Sequence, residues 1–200
     1  MSGPLLAHSL SEVTFFLRGA SCTSCGRGPL GGGESVREEG AGAGGVTLTV
    51  ETVCHECGSA AVLQFLVTAP PGEHVNAFDP PLVNPTEDPS RILDVGQWIM
   101  LSRVLTEEAS AAKEKGAGRR LALQAAQCIE EALKFYEDDN DLPPPGATFT
   151  DATRRRLREA PDQFSKRRLI ELRAKLPFST AQRAAMSKDS SPQSSRGTHD

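Results

Sequence analysis

Residues 46–68 read Val46-Thr-Leu-Thr-Val-Glu-Thr-Val-Cys54-His-Glu-Cys57-Gly58-Ser-Ala-Ala-Val-Leu-Gln-Phe-Leu-Val-Thr68. Over 46–53, apolar and β-branched side chains alternate with Thr and Glu. That period of two predicts a strand with one wet face. Residues 60–68 repeat the character and predict a second strand. Between them Cys-His-Glu-Cys-Gly allows only a tight turn. The stretch therefore predicts strand, turn, strand, with two thiols held at the tip.

The same signature occurs upstream as Cys22-Thr-Ser-Cys25-Gly26, after Val13-Thr-Phe-Phe-Leu17, which also predicts a strand. Two thiolates three positions apart can reach one ion when the backbone turns tightly between them. Amides of the turn point back at the sulfurs, and the following glycine accepts the left-handed conformation that closes it. Two such turns, formed by Cys22, Cys25, Cys54 and Cys57, supply four sulfurs in a tetrahedron around one Zn²⁺. Four protein ligands leave no open position, so one structural zinc is expected. Two disulfides and an iron–sulfur cluster use the same residues; the lack of an export signal argues against the disulfides, and the separated, glycine-closed turns favour zinc over the cluster. A thioredoxin-like redox pair would need a surrounding βαβ unit, and none is predicted. His55, inside the second turn, is expected to be an exposed turn residue and not a ligand.

On these turns, residues 13–68 resemble the zinc ribbon, a small antiparallel β module closed by paired Cys-x-x-Cys-Gly knuckles. Zinc ribbons bind nucleic acids or proteins, or brace larger assemblies, and the resemblance implies one of these roles. The spacer between the pairs exceeds the usual length. Nine glycines in residues 26–45 account for much of the excess.

Outward from the ribbon, residues 1–12 are expected to be a flexible N-terminus. Prolines 70, 71, 80, 81, 85 and 89 predict an extended linker over 69–88. Asp88-Pro89 suggests a cap and first helical residue. A helix is expected from there to about residue 112, with Trp98 on its apolar face. Gly116 and Gly118 are expected to break it. Residues 119–137 carry Leu121, Ala125, Cys128, Ile129, Ala132, Leu133 and Tyr136 on one stripe and predict a second helix. Residues 125–136 resemble the second helix of a tetratricopeptide motif, but no second copy follows at that period, so one hairpin is expected. Thr150 can cap a third helix over 151–159. Pro161 can open a fourth over 161–176, with Phe164, Leu169, Leu172 and Leu176 inward. Residues 179–200 are Ser-rich and expected to be disordered.

The fold class expected is thus α+β, a zinc ribbon followed by a separate domain of about four helices over 89–178. The chain has 200 residues and net charge -4, but basic side chains outnumber acidic ones ten to four over 146–186. Arg154, Arg155, Arg158, Lys166, Arg167 and Arg173 are candidate contacts to an anion or nucleic acid. The alternative is that they dock on the acidic residues before them. Few aromatics interleave with them, which argues against base stacking. No nucleophile elbow, phosphate loop or metalloprotease motif occurs, so no catalysis is expected. No long apolar run and no export signal appear, so a cytoplasmic protein without membrane contact is expected. Its expected partner is another protein, with nucleic acid second.

Overall fold

The structure, a computed structural model, describes residues 3–31, 35–42, 44–68 and 79–179. Four strands form one sheet: β1 (Leu5–Ala7), β2 (Ser35–Gly42), β3 (Gly45–Val53) and β4 (Ala60–Val67), in the order β1-β4-β3-β2. β2, β3 and β4 are antiparallel, and β1 lies parallel to β4. Five α-helices accompany the sheet: α1 (Leu10–Gly19), α2 (Val95–Ala111), α3 (Lys115–Leu133), α4 (Asp151–Glu159) and α5 (Lys166–Ala174). The α+β class is observed. An antiparallel β3–β4 hairpin is present over the two strands expected at 46–68.

Residues 13–17 are not a strand; they lie in α1. Val-Thr-Phe-Phe-Leu has strand propensity, but the capping signal lies upstream, in Ser9-Leu-Ser-Glu12. The Ser9 hydroxyl accepts the Glu12 amide at 3.1 Å, and the Glu12 carboxylate accepts the His8 amide at 2.5 Å. The first satisfies an amide that a helix start leaves unpaired, and the second ties the residue before the cap to the first turn. Burial on two sides then overrides propensity. Phe16 meets Phe65 of β4 edge-on, with ring centroids 5.5 Å apart. Phe15 meets Trp98 of α2 at 5.8 Å. Residues 5–7 likewise correct the expected flexible N-terminus, since they extend the sheet.

This helix joins what the sequence separates. One cluster of buried side chains runs from Leu48, Val50 and Phe65 of the sheet through Val13, Phe15 and Leu17 to Trp98, Leu101, Leu105, Cys128 and Ile129. The Gln97 side-chain amide also donates to the Gly19 carbonyl at 3.1 Å. The sheet and the helices contribute side chains to one buried cluster.

The expected linker is corrected over its described part. Residues 79–90 are a strap laid between α1 and α3, with Val83, Asn84 and Ser90 buried. The Ser9 hydroxyl donates to the Val83 carbonyl. Asn84 donates through Nδ2 to the Asp88 carbonyl and to Glu131 Oε2. Lys134 Nζ donates to the Thr86 carbonyl at 2.6 Å and pairs with Glu131 at 2.7 Å. Residues 69–78 of the linker and 180–200 of the tail lie outside the described residues.

Glu131 gives this strap a pH signature. Burial pushes its carboxyl up to about 7, against the pull of Lys134 and Asn84, and Glu12 adds a further push. Unfolded, it titrates near 4.5. Between those values the native state holds a proton that the unfolded chain has released. Glu131 therefore subtracts stability as pH rises from about 4.5 to about 7. In thermal melts at pH 5 and pH 8, Glu131→Gln should gain on the native sequence at the higher pH, by on the order of 2 kcal/mol.

Proline does not start α2. Asp88 and Pro89 precede an irregular turn, and Asp94 caps the helix instead. Its carboxylate accepts the Gln97 amide at 3.0 Å, and the Gln97 side chain accepts the Asp94 amide at 3.0 Å. Gly116 and Gly118 do not break the hairpin but lie within α3. A Cβ on Gly118 would stand 3.0 Å from the Ala109 carbonyl, so the glycine permits close approach of α3 to the end of α2. Thr150 caps α4 as expected, accepting the Thr153 amide at 3.2 Å. The fourth expected helix is split. Pro161–Phe164 is a 3₁₀ turn, and Ser165 caps α5. The later start changes the inward face: Phe164 and Leu169 are fully buried, Leu172 is 37% exposed, and Arg173 is buried instead.

Candidate metal centre

Both knuckles are built by the same hydrogen bonds. In the first, the Cys22 amide donates to the Arg27 carbonyl at 2.5 Å and the Gly26 amide to the Cys22 carbonyl at 2.8 Å. In the second, the Cys54 amide donates to the Ser59 carbonyl and the Gly58 amide to the Cys54 carbonyl, both at 2.9 Å. Gly26 and Gly58 hold φ at 69° and 71°. That left-handed backbone disfavours any side chain, as the motif predicts.

The two turns meet because the chain after the first returns along the hairpin. Leu30 bridges to Cys54, and its amide donates to the Leu17 carbonyl at 2.9 Å. The Gly31 amide donates to the Val53 carbonyl, and the Thr52 hydroxyl to the Gly31 carbonyl. This return segment, residues 27–31, is what the sequence reading treats only as glycine-rich loop.

The result is one cluster. The sulfurs of Cys22, Cys25, Cys54 and Cys57 all lie within 4.8 Å of one another. Across the knuckles, Cys22 and Cys57 stand 3.8 Å apart, as do Cys25 and Cys54. Among the described residues this is the only group of three or more His, Cys, Asp or Glu side chains close enough to share an ion. His55 is exposed and outside it. Burial grades the four: Cys22 and Cys54 are in the core, Cys25 is half-buried and Cys57 is exposed.

The electrostatics suit a cation. The Ser24 amide points at the Cys22 sulfur at 3.3 Å. Backbone amides of Cys25 and Ser24 hold the Cys22 thiol below its ordinary value. Ser59, through its hydroxyl and then its amide, holds Cys57 down to about 6. Cys25 is raised to about 11: the backbone near Arg27 pulls it down, and burial with the other three sulfurs outweighs that pull. A cluster that holds some thiolates and resists losing its last protons is one that a positive ion completes. Four soft sulfur donors suit a metal ion.

Cys128 stands apart on α3, and burial raises its thiol well above the ordinary value, with Glu131 adding to the shift. It is core, as its place on the apolar stripe predicts.

The six basic candidates divide. Arg173 bonds Glu130 at 2.7 Å and stacks over the Phe178 ring at 4.5 Å. Lys166 Nζ caps the Glu137 carbonyl at 2.9 Å. Arg167 pairs with Asp141 at 3.9 Å, and its amide donates to the same carboxylate at 3.0 Å. That amide, then the Ser165 hydroxyl, holds the Asp141 carboxyl below its usual range. Arg154 bonds Asp151 at 2.6 Å and the Thr148 carbonyl at 3.0 Å. Arg155 and Arg158 are exposed on α4, which also exposes Asp151 and Glu159.

No helix among the described residues is long and apolar enough to cross a membrane. In comparisons with known proteins, no family model, curated protein or solved structure matches the chain.

Proposed function

We propose that the protein is a non-catalytic, zinc-braced interaction module. The observation that carries this reading is the closed set of four cysteine sulfurs. A tetrahedron with Zn–S bonds of about 2.3 Å has edges of about 3.8 Å. The two cross-knuckle sulfur distances have that value. Bound there, zinc would supply charge neutralisation and a four-way link, with no position left for a substrate. Cys22 and Cys25 would hold the loop after α1. Cys54 and Cys57 would hold the β3–β4 tip. The chain's own contribution is to aim amides at the sulfurs and to bury one ligand of each pair.

Elemental analysis of the purified full-length protein should give about one zinc per chain, because four thiolates saturate one ion. Partner capture on the immobilised protein should fail once a chelator has removed the metal. Measurable turnover of a substrate, with no partner captured, would overturn the reading.

Nucleic-acid association is the second reading. Supporting it, Arg155, Arg156 and Arg158 are exposed on α4 with no carboxylate within 4 Å among the described residues. Against it, Lys166, Arg167 and Arg173 are engaged by the chain's own acidic residues. If α4 binds nucleic acid, oligonucleotide affinity falls steeply with salt, and neutralising Arg154, Arg155 and Arg158 reduces the slope by about one per lost contact. Absence of binding at low salt ends this reading.

A further inference from the structure

The four sulfurs differ in access, and two contacts of 3.8 Å join them across the knuckles. Cys22 and Cys54 are 6% and 1% exposed, while Cys57 lies on the surface turn. The two 3.8 Å contacts, Cys22 with Cys57 and Cys25 with Cys54, join one knuckle to the other and together use every sulfur. Each joins an accessible or half-buried sulfur to a fully buried one. We infer that Cys57 is an oxidative modification site, through which hydrogen peroxide converts the metal centre into two cross-knuckle disulfides, Cys22–Cys57 and Cys25–Cys54. This rests on the tetrathiolate metal reading above.

The chemistry balances with peroxide as the only oxidant. The Cys57 thiolate attacks one peroxide oxygen, the O–O bond breaks, and hydroxide leaves to be protonated to water. The Cys22 sulfur then attacks the sulfenic acid sulfur, the S–O bond breaks, and a second water leaves. Two sulfurs lose one electron each, and the peroxide takes both. A second peroxide oxidises Cys25 and Cys54 in the same way. With no thiolate left, the metal has no ligands and departs.

Access decides where attack begins, since oxidation follows thiolate character and exposure. The cross-knuckle contacts supply the partners. A disulfide needs sulfurs about 2.0 Å apart, so each 3.8 Å contact must close by about 1.8 Å. The exposed Cys57 side chain can make that movement without disturbing the core. Bridges between the knuckles also close long chain loops, whereas bridges within a Cys-x-x-Cys turn close very short ones, and long loops gain more. The oxidised protein would keep the two loops together by covalent bonds in place of the metal.

The test uses the full-length, metal-loaded protein with a chromogenic zinc chelator present. Hydrogen peroxide should release about one equivalent of zinc per chain, and a dithiol reductant should restore binding. Peptide mapping without reduction should find Cys22–Cys57 and Cys25–Cys54, with Cys128 still a thiol. In loaded protein, limiting iodoacetamide should label Cys57 before the other three ligands. Disulfides within the knuckles, first labelling elsewhere, or zinc retained while cysteines are oxidised would overturn this inference alone. Protein purified without chelator that neither contains nor takes up zinc would overturn the metal reading and this inference with it.

Discussion

Replacing Cys54 with serine should release the metal proposed for the four-cysteine site and unfold the sheet, the largest effect expected of any single substitution in this chain. Cys54 is 1% exposed, carries the end of the β3–β4 hairpin and bridges to Leu30. A serine hydroxyl does not replace a thiolate on zinc, and removing one ligand of four opens the site. Structural zinc contributes on the order of 10 kcal/mol or more in small zinc modules. That is comparable to the whole stability of an ordinary domain, roughly 5–15 kcal/mol. The sheet is held to the helices through α1, so the loss should be felt beyond the ribbon. Trp98, the only tryptophan, is fully buried and packs on Phe15 of α1. Its emission should shift to the red on chelation or in Cys54→Ser, in step with zinc release. A variant that keeps one zinc per chain and unshifted Trp98 emission would refute both the site and the coupling.

Asp94→Ala should cost about 3–5 kcal/mol, the largest effect away from the metal centre. The Asp94 carboxylate is fully buried and accepts four donors. Oδ1 takes the Gln97 amide at 3.0 Å and the Thr153 hydroxyl at 2.7 Å. Oδ2 takes the Thr150 amide at 2.9 Å and the Thr150 hydroxyl at 2.7 Å. One side chain therefore caps α2 and orients Thr150, the cap of α4. Alanine leaves those donors buried without partners and opens a void beside them. Asp94→Asn keeps the shape but turns part of the acceptor into a donor, so its cost should be roughly half. Denaturant unfolding of the metal-loaded protein measures both. A loss under about 1 kcal/mol for alanine would show that water replaces the carboxylate. Gly96 lies in the same junction: an added Cβ would stand 2.4 Å from Thr153 Oγ1.

The four-cysteine cluster was legible because its signal is local. Spacing, turn and glycine together define a knuckle, and the meeting of two knuckles follows from the chemistry of four thiolates. The β3–β4 hairpin was legible for the same reason, since its period of two spans both strands. The misread parts depend on distant contacts. Val13–Leu17 becomes helix because Phe65 and Trp98 cover it on two sides, and no local pattern names those partners. Only Ser9-Leu-Ser-Glu12 could have announced it. The proline-rich strap looked like a linker because Asn84 and Val83 are buried by residues far along the chain. The six basic residues looked like one patch, but Glu130, Asp138 and Asp141 pair with part of that charge.

The position of α1 has a consequence for how the chain matures during synthesis. The four knuckle cysteines emerge before any residue of α2, so both knuckles can gather a metal while the later helices are still unmade. Phe15 and its neighbours remain uncovered on one side until Trp98 follows, and β1 cannot join the sheet until β4 exists. A nascent chain stalled between the second knuckle and α2 should therefore be metal-loaded yet sticky, with its apolar helix face open to chaperones. The cysteine cluster comes first along the chain, and closure of the core comes last.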